Sequence, residues 1–476
     1  MRLIYFIWSL IERFGTNFVS LGGNIVLSYL LMPEDFGLVA MVGVFTSLIF
    51  VLVDCGLSDG LLTMGKPSDR DFNTVFFFNI AVGAALCITY AAISPWVASY
   101  FNRPELQPVI CALGVGAFFS SMTISQMTKL RSHLQFKKLA AINIAAIIIA
   151  LTIAIVMALN GMKYWALVEL QVGFSFSYWL LLVLTSRWAL RWEFDTARFK
   201  QLWKFGVNLL ASTIMTQTAQ NIFAFVIGKY ITATHAGYMG QAQKLQQTPT
   251  NSLESAISTT AYVLIAQKET DGEKCRAVED MFGVVTFINC AFCFLLLALS
   301  YPLIDFIFPE KWLPTIPYFR LLLCWALVYP VCNFMMVIFK VFDRTAVIRN
   351  VLLIEKALIV VSAFLLYPFG VEAMILAAIG LSCVTFVLYS LFASRITGIK
   401  ASTFFKTYLS HVAMLAVVGG TAFAAATLTL PAASWVAILT GLAAYGVALA
   451  AVTRWLRPSY FAYALDHLRA VFHHHQ

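Results

Sequence analysis

Long apolar runs separated by short polar connections dominate the chain from its first residues. Runs of about 20 apolar residues are long enough to cross the hydrocarbon core of a bilayer as α-helices. They are continuous rather than alternating, which favours helices over the strands of a membrane β-barrel. The pattern predicts about fourteen helices, here called segments 1–14, with these spans: 4–31, 37–62, 73–99, 105–128, 138–159, 163–186, 204–230, 236–265, 278–307, 315–340, 346–368, 371–394, 404–428 and 433–454.

Basic residues in the connections fall mainly on one side of the predicted bundle. With a cytoplasmic N-terminus, the outer side receives only Arg103, Lys163, Lys229 and Lys311. Because cytoplasmic loops of membrane proteins are enriched in Lys and Arg, this asymmetry predicts that both termini are cytoplasmic. We therefore expect a multi-pass membrane protein.

A weak internal repeat divides the predicted helices into two sets of six. Phe14-Gly15-Thr16-Asn17 in segment 1 returns as Phe205-Gly206-Val207-Asn208 in segment 7, and the turns into Phe36-Gly37-Leu38 and Ala236-Gly237-Tyr238 also correspond. Both sets start on the same side, as expected of parallel repeats. The predicted parts are an N-terminal lobe (1–187), a cytoplasmic linker (188–203), a C-terminal lobe (204–395), two additional helices (396–456) and a cytoplasmic tail (457–476).

Composition supports this all-α polytopic architecture and narrows the functional classes. Of the 476 residues, 61% are hydrophobic and 12% charged, whereas about 25% charged residues are usual in soluble domains. The net charge of +9 is better explained by cytoplasmic loops facing lipid than by nucleic-acid binding. No phosphate loop, dinucleotide-binding glycine pattern or zinc pair of the His-Glu-x-x-His type is present. We expect no enzymatic activity, no cofactor and no metal site.

Charged residues inside the apolar segments are functional candidates, because burying a charge in the bilayer is costly. Segment 1 contains Glu12 and Arg13, and its polar positions from Arg13 through Asn17 to Asn24 follow one helical face. Glu355 and Lys356 are adjacent in segment 11, so they point about 100° apart and do not form a local i, i+4 pair.

Segment 8 has the most continuous polar face in the chain. Lys244, Gln247, Asn251 and Glu254 lie at helical spacing, with Pro249 beside them, while segment 7 adds polar residues that include Gln217 and Gln220. Lipid cannot satisfy such faces, so segments 1, 7 and 8 are expected to share a water-filled interior. Individually, each amide is more simply explained as a hydrogen bond between helices.

Five further stretches of the sequence form a set of motifs: Tyr29-Leu30-Leu31-Met32-Pro33-Glu34-Asp35-Phe36-Gly37-Leu38, Asp54-Cys55-Gly56-Leu57-Ser58, Trp8 to Arg13, Ile227 to Tyr238, and Phe308-Pro309-x-x-Trp312. Together they resemble the polysaccharide transporters, the Wzx-like flippases of the multidrug/oligosaccharidyl-lipid/polysaccharide exporter superfamily, with the colanic-acid-exporter branch nearest. The resemblance covers segments 1–12 and implies two six-helix lobes around a cavity lined by segments 1, 2, 7 and 8.

The resemblance implies that the substrate is a polyprenyl-diphosphate-linked oligosaccharide. It implies that the protein, in contact with membrane lipids, moves this substrate from the inner to the outer leaflet of the bacterial cytoplasmic (inner) membrane. It implies Arg13 and Lys244 at the diphosphate. Polymerase and chain-length proteins of the export pathway are further expected partners. The residues leave open a cation-coupled multidrug antiporter of the same superfamily. Ion coupling at Glu12, Glu254, Glu355 or Lys356 also stays open. A membrane glycan polymerase or ligase is disfavoured, because the predicted outer loops are short.

Overall fold

A computed structural model describes residues 2–63, 67–185 and 191–456 of the chain. Within these residues every regular element is helical, which confirms the predicted all-α architecture. The helices are α1 Arg2–Leu30, α2 Pro33–Met41, α3 Gly43–Asp54, α4 Leu57–Thr63, α5 Asp69–Phe101, α6 Leu106–Ser132, α7 Phe136–Leu159, α8 Trp165–Thr185, α9 Thr196–Tyr230, α10 Ala233–Ala266, α11 Asp271–Ala298, α12 Ser300–Ile307, α13 Ile316–Val341, α14 Thr345–Leu366, α15 Val371–Thr397, α16 Ala401–Thr429 and α17 Ser434–Leu456, with 3-10 helices at Glu310–Thr315 and Tyr367–Phe369.

Two predicted segments are not single helices. Segment 2 is divided into α2, α3 and α4, with a 51° bend between α2 and α3. Cys55 and Gly56 then take φ angles of 48° and 71°, and this left-handed backbone ends α3. Segment 9 is divided between α11 and α12 at Leu299. Pro302 contributes to that break, because it has no backbone N–H to donate to the preceding turn.

The chain is a multi-pass membrane protein. The predicted number of fourteen membrane-spanning helices is not confirmed. Each predicted segment overlaps helical structure, and segment 8 is the continuous helix α10, which runs through Pro249. In the described part of the chain, 10 helices are long and apolar enough to cross a membrane, or up to 11 if α2 and α3 form one span. Fourteen membrane-spanning helices therefore stay a prediction.

The helices form two compact units. Unit 1 comprises Met1–Gln241 and Lys356–Val371, and unit 2 comprises Ala242–Glu355 and Glu372–Gln476. The lobe boundaries drawn from the sequence stay predictions, and the predicted tail at 457–476 lies outside the described residues.

Each unit has its own hydrophobic core. In unit 1, Leu27 of α1 and Leu31, directly after this helix, pack with Ala154 and Ala158 of α7. A second cluster in unit 1 joins α4, α5 and α9 through six buried residues: Cys55, Leu57, Leu61, Phe72, Val75 and Leu202. A cluster in unit 2 contains six buried aromatic residues among its members: Phe282, Phe334, Phe339, Phe386, Tyr389 and Phe404.

Candidate substrate-binding residues

The polar face of α1 is buried where it approaches its C-terminal end. Asn24 is 2% exposed, and its Nδ2 donates a hydrogen bond of 2.9 Å to Oε1 of Gln241 in α10. Asn17, two turns earlier, is half-buried. Glu12 and Arg13 lie within α1, but their side chains are outside the described residues. On the predicted face of α1, Asn24 is thus buried against α10 and Asn17 is half-buried.

The two turns that correspond in the sequence repeat meet each other in unit 1. A Cβ atom added to Gly37 of α2 would lie 1.7 Å from the carbonyl oxygen of Ala233. A Cβ atom added to Gly237 of α10 would lie 2.0 Å from the carbonyl oxygen of Pro33. The contact is reciprocal, since each glycine faces the residue four positions before the other. Only glycine permits backbones to approach so closely.

The polar residues of α9 are less enclosed. Gln217 and Gln220 are half-buried, and the backbone oxygen of Gln217 accepts a 2.9 Å hydrogen bond from Nδ2 of Asn221. The side chain of Asn208, the counterpart of Asn17 in the repeat, is outside the described residues. Both glutamines therefore retain polar surface on a helix of the first unit.

Residues on the predicted polar face of α10 differ in their exposure. Lys244 and Gln247 are half-buried, whereas Asn251 is exposed. Oε1 of Glu254, also half-buried, accepts a 2.5 Å hydrogen bond from Nδ2 of Asn333 in α13. Unit 2 thus contains the cation and the carboxylate that the sequence singled out in segment 8.

A second polar stripe on α10 was missed by the sequence reasoning. Gln243, Gln246 and Thr250 are buried at spacings of three and four residues. Nε2 of Gln246 donates to Oγ1 of Thr250 at 3.2 Å, and that hydroxyl donates back to the carbonyl oxygen of Gln246 at 2.6 Å. The helical spacing of these residues is visible in the sequence. Because the stripe contains no charged residue, the sequence alone did not distinguish it from other polar positions in the apolar segments.

Glu355 is a buried carboxylate connected to two other helices of unit 2. Its Oε1 accepts a 3.0 Å hydrogen bond from Oγ of Ser382 in α15. Nε1 of Trp325 in α13 donates to the same hydroxyl at 2.8 Å. Lys356 is also buried, at the start of the chain portion that belongs to unit 1. Within residues 2–63, 67–185 and 191–456, no group of three or more His, Cys, Asp or Glu side chains is placed to hold a metal ion.

A cluster of tyrosines joins three helix ends in unit 1, on the side that the loop charges predict to be external. The hydroxyl groups of Tyr100 and Tyr230 lie 3.1 Å apart, and the ring of Tyr230 stacks on Tyr367 at 4.2 Å. Nζ of Lys229 donates to the backbone oxygen of Tyr100 and lies 4.6 Å from the centre of its ring. The cluster connects α5, α9 and the second 3-10 helix.

Residues 26–317 match the model of a protein family described as "Polysaccharide biosynthesis protein". The chain belongs to this family. The matched region runs from the end of α1 into α13, so it contains Lys244 and the glutamines of α9. Glu12, Arg13, Glu355 and Lys356 lie outside it.

Three proteins of polysaccharide biosynthesis and transport are similar to this member of the polysaccharide biosynthesis family. It is 23% identical over 277 residues to the Bacillus subtilis teichuronic acid biosynthesis protein TuaB, covering 57% of each chain. It is 23% identical over 315 residues to the Escherichia coli lipopolysaccharide biosynthesis protein WzxC, covering 65% of this chain and 63% of WzxC. It is 22% identical to the succinoglycan biosynthesis transport protein ExoT of Rhizobium meliloti, covering 64% of this chain and 62% of ExoT. The resemblance to Wzx-like polysaccharide transporters is confirmed, although each alignment spans less than two thirds of the relative.

Solved structures share the fold of this family member. The lipid II flippase MurJ in an inward closed conformation superposes with a TM-score of 0.75 and 15% identity, covering 94% of this chain and 99% of that structure. An inward-facing multidrug resistance MATE family transporter of the MOP superfamily gives a TM-score of 0.62 and 14% identity, covering 81% and 96% respectively. These superpositions confirm the predicted all-α polytopic fold.

Proposed function

We propose that this protein is a flippase for polyprenyl-diphosphate-linked oligosaccharide repeat units. In this proposal it moves precursors of an exopolysaccharide, capsule or O-antigen from the inner to the outer leaflet of the bacterial cytoplasmic membrane. The family match to polysaccharide biosynthesis proteins carries the proposal. Relatives named for lipopolysaccharide biosynthesis and succinoglycan transport support it.

The distribution of polar residues fits the chemistry of such a substrate. A diphosphate cannot enter hydrocarbon without compensation, since an isolated buried charge costs tens of kcal/mol in the Born limit. Arg13 and Lys244 would supply positive charge to the diphosphate, and Lys244 is half-buried on a polar helix. The polyprenyl chain is apolar and would stay in the lipid throughout.

Amide side chains would meet the sugar hydroxyl groups. We assign this role to Asn17, Asn24, Gln217, Gln220, Gln247 and Asn251. Each amide offers both donors and an acceptor, as hydroxyl groups require. The pair Asn24–Gln241 would also fix the position of α10 against α1, because its 2.9 Å hydrogen bond is buried.

Transport would proceed by alternating access, in which lobes rock around a fixed substrate site. The protein would use an ion gradient or the consumption of product rather than a nucleotide. Glu12, Glu254, Glu355 and Lys356 are the proposed coupling residues. Both termini would be cytoplasmic, and the polymerase and chain-length proteins of the export pathway would receive the product.

Depletion of the protein in its host tests the function directly. The proposal expects lipid-linked oligosaccharide to accumulate on the cytoplasmic face of the membrane while the polymer at the cell surface decreases. An unchanged lipid-linked pool together with increased drug sensitivity would contradict the proposal and point to a multidrug antiporter.

Substitution of the two cations tests the site. Arg13→Ala and Lys244→Ala should each abolish export while the protein remains in the membrane at normal abundance. Lys268→Ala removes an exposed cation at the end of α10 and serves as the matched control. Export by both cation variants at the control level would reject this assignment without rejecting the function.

A further inference from the structure

The described end of the connection between α8 and α9, from residue 191 onward, packs against α5 in unit 1. Residues 191–204, here called the linker surface, comprise the described end of this connection and the first turns of α9. The ring of Trp192 lies 4.5 Å from that of Phe77 in α5, and the ring of Phe199 lies 4.8 Å from that of Phe78. The backbone N–H of Asp195 donates to Oγ1 of Thr74 at 3.0 Å. The linker surface therefore has a defined orientation on α5.

The first turns of α9 are amphipathic. Leu202 is buried in the cluster with Phe72 and Val75, and Phe199 packs against that cluster. Lys200 and Lys204, four residues apart, are exposed. The spacing of these residues gives the helix an apolar face toward α5 and a basic face away from it.

Ion pairs neutralise the carboxylates around the linker surface. Asp195 lies 3.6 Å from Nε of Arg70, and Asp71 lies 3.8 Å from Nε of Arg198. Glu193 remains as the single further carboxylate within residues 191–204. The exposed Arg191 and Lys200 already outnumber it, so the exposed side of the linker surface has an excess of positive charge.

Large aromatic side chains accompany this charge. Trp192 is 88% exposed although one side of its ring contacts Phe77, and Phe194 and Trp203 are also exposed. Tryptophan is enriched where the hydrocarbon of a bilayer meets the headgroups. Exposed tryptophan next to exposed lysine and arginine is the combination expected of a surface that contacts headgroups.

Contacts with α5 place the linker surface at that depth. Phe77, which contacts Trp192, and Tyr100, whose hydroxyl group lies 3.1 Å from that of Tyr230, are 23 residues apart in α5, or about 35 Å at 1.5 Å per residue. Because the hydrocarbon core is about 30 Å thick, Trp192 lies near the boundary of the core opposite Tyr100, and Phe199 in the first turns of α9 lies at the same depth against Phe78. The basic side chains are then within reach of lipid phosphates.

We infer that the linker surface binds the headgroups of anionic phospholipids in the leaflet that it faces. The exposed cations Arg191, Lys200 and Lys204 contact the phosphates, and Trp192 inserts at the boundary between headgroups and acyl chains. Charge complementarity selects anionic over zwitterionic lipid. This inference goes beyond the proposed transport function and does not require it, since it concerns the annular lipid and not the cargo.

Fluorescence quenching in nanodiscs tests the inference on the full-length protein. The emission of Trp192 is obtained by subtracting the fluorescence spectrum of a Trp192→Phe variant from that of the wild-type protein. In discs of mixed phosphatidylglycerol and phosphatidylcholine, brominated phosphatidylglycerol should quench this emission more strongly than brominated phosphatidylcholine at equal mole fraction. The preference should decrease as salt is added, because salt screens contacts between exposed charges.

Charge-matched variants locate the effect. An R191Q/K200Q/K204Q variant should lose most of the preference for phosphatidylglycerol, since a basic residue at an anionic surface contributes about fivefold in affinity at low salt. A K268Q/R395Q/K400Q variant removes the same charge from exposed positions of unit 2 and should retain the preference. Neither variant alters a residue that we assign to cargo binding.

Three outcomes would overturn the inference. Equal quenching by the two brominated lipids would show no selection of anionic headgroups. An equal loss in both triple variants would show a general charge effect. Protection of Trp192 from aqueous iodide in native membrane vesicles but not in phosphatidylglycerol nanodiscs would identify a protein as the partner instead of lipid.

Discussion

The reciprocal contact between Gly37 and Gly237 makes a quantitative prediction about the packing of α2 against α10. In Gly237→Ala the new methyl group would lie 2.0 Å from a backbone oxygen, and in Gly37→Ala the distance would be 1.7 Å. Real Cβ contacts are essentially never shorter than 3.0 Å. Because the opposing atoms belong to the backbone, no rotamer change relieves the clash, and the helices must separate by about 1 Å or more.

The expected cost follows from overpacking and helix propensity. Overpacking costs about 1–3 kcal/mol, and exchanging glycine for alanine inside a helix returns about 0.5–1 kcal/mol. Each single variant should therefore lose roughly 1–2 kcal/mol of unfolding free energy. Separation forced by one methyl group also makes room for the other, so the double variant should lose less than the sum of the two losses.

Reversible unfolding by sodium dodecyl sulfate in mixed micelles, followed by circular dichroism, measures these free energies. Gly380→Ala is the matched control, because a Cβ atom at this exposed position of α15 meets nothing within 4 Å. The reasoning is refuted if Gly37→Ala and Gly237→Ala are as stable as Gly380→Ala. Full additivity in the double variant would show that the two glycines do not share one contact.

Two further predictions concern hydrogen bonds at a buried and at an exposed position. Ser382→Ala removes the bond to the buried carboxylate of Glu355 and should cost about 1–3 kcal/mol in the same unfolding assay, whereas Ser390→Ala, which removes only a bond within its own helix, should cost clearly less. Asp195 caps α9, and the backbone N–H of Arg198 lowers the pKa of Asp195 below its ordinary 3.8. Asp195→Ala should therefore lower the melting temperature at neutral pH, and this difference should disappear as the pH falls below about 3.8 and the folded wild-type carboxylate becomes protonated. A difference that persists unchanged at pH 3 would contradict this assignment of the cap.

The sequence located the helices because apolar length and helical periodicity are local properties. Every predicted segment overlaps helical structure, and even the polar segment 8 is the helix α10. The breaks within segments 2 and 9 were not predicted. One depends on Cys55 taking a left-handed φ of 48°, which is uncommon for a residue with a Cβ atom and is set by its surroundings.

Polar partners were harder to predict than polar faces. The helical spacing on segment 1 singled out Asn24, but its partner Gln241 is 217 residues away, one turn before Lys244 in α10. Glu355 was recognised as a charge within an apolar segment, whereas Ser382 is one of many hydroxyl residues in such segments. Pairing across helices depends on their packing, which periodicity within one helix does not encode.

The crossing of α2 and α10 has a kinetic consequence. Where Gly37 faces Ala233 and Gly237 faces Pro33, the closest atoms belong to the backbone. Such a contact has no side-chain torsions to reset, so it can separate and re-form without a search through rotamers. The rate of that step is then governed by the rigid-body motion of two helices, and the residues flanking the glycines can change over evolution without altering it.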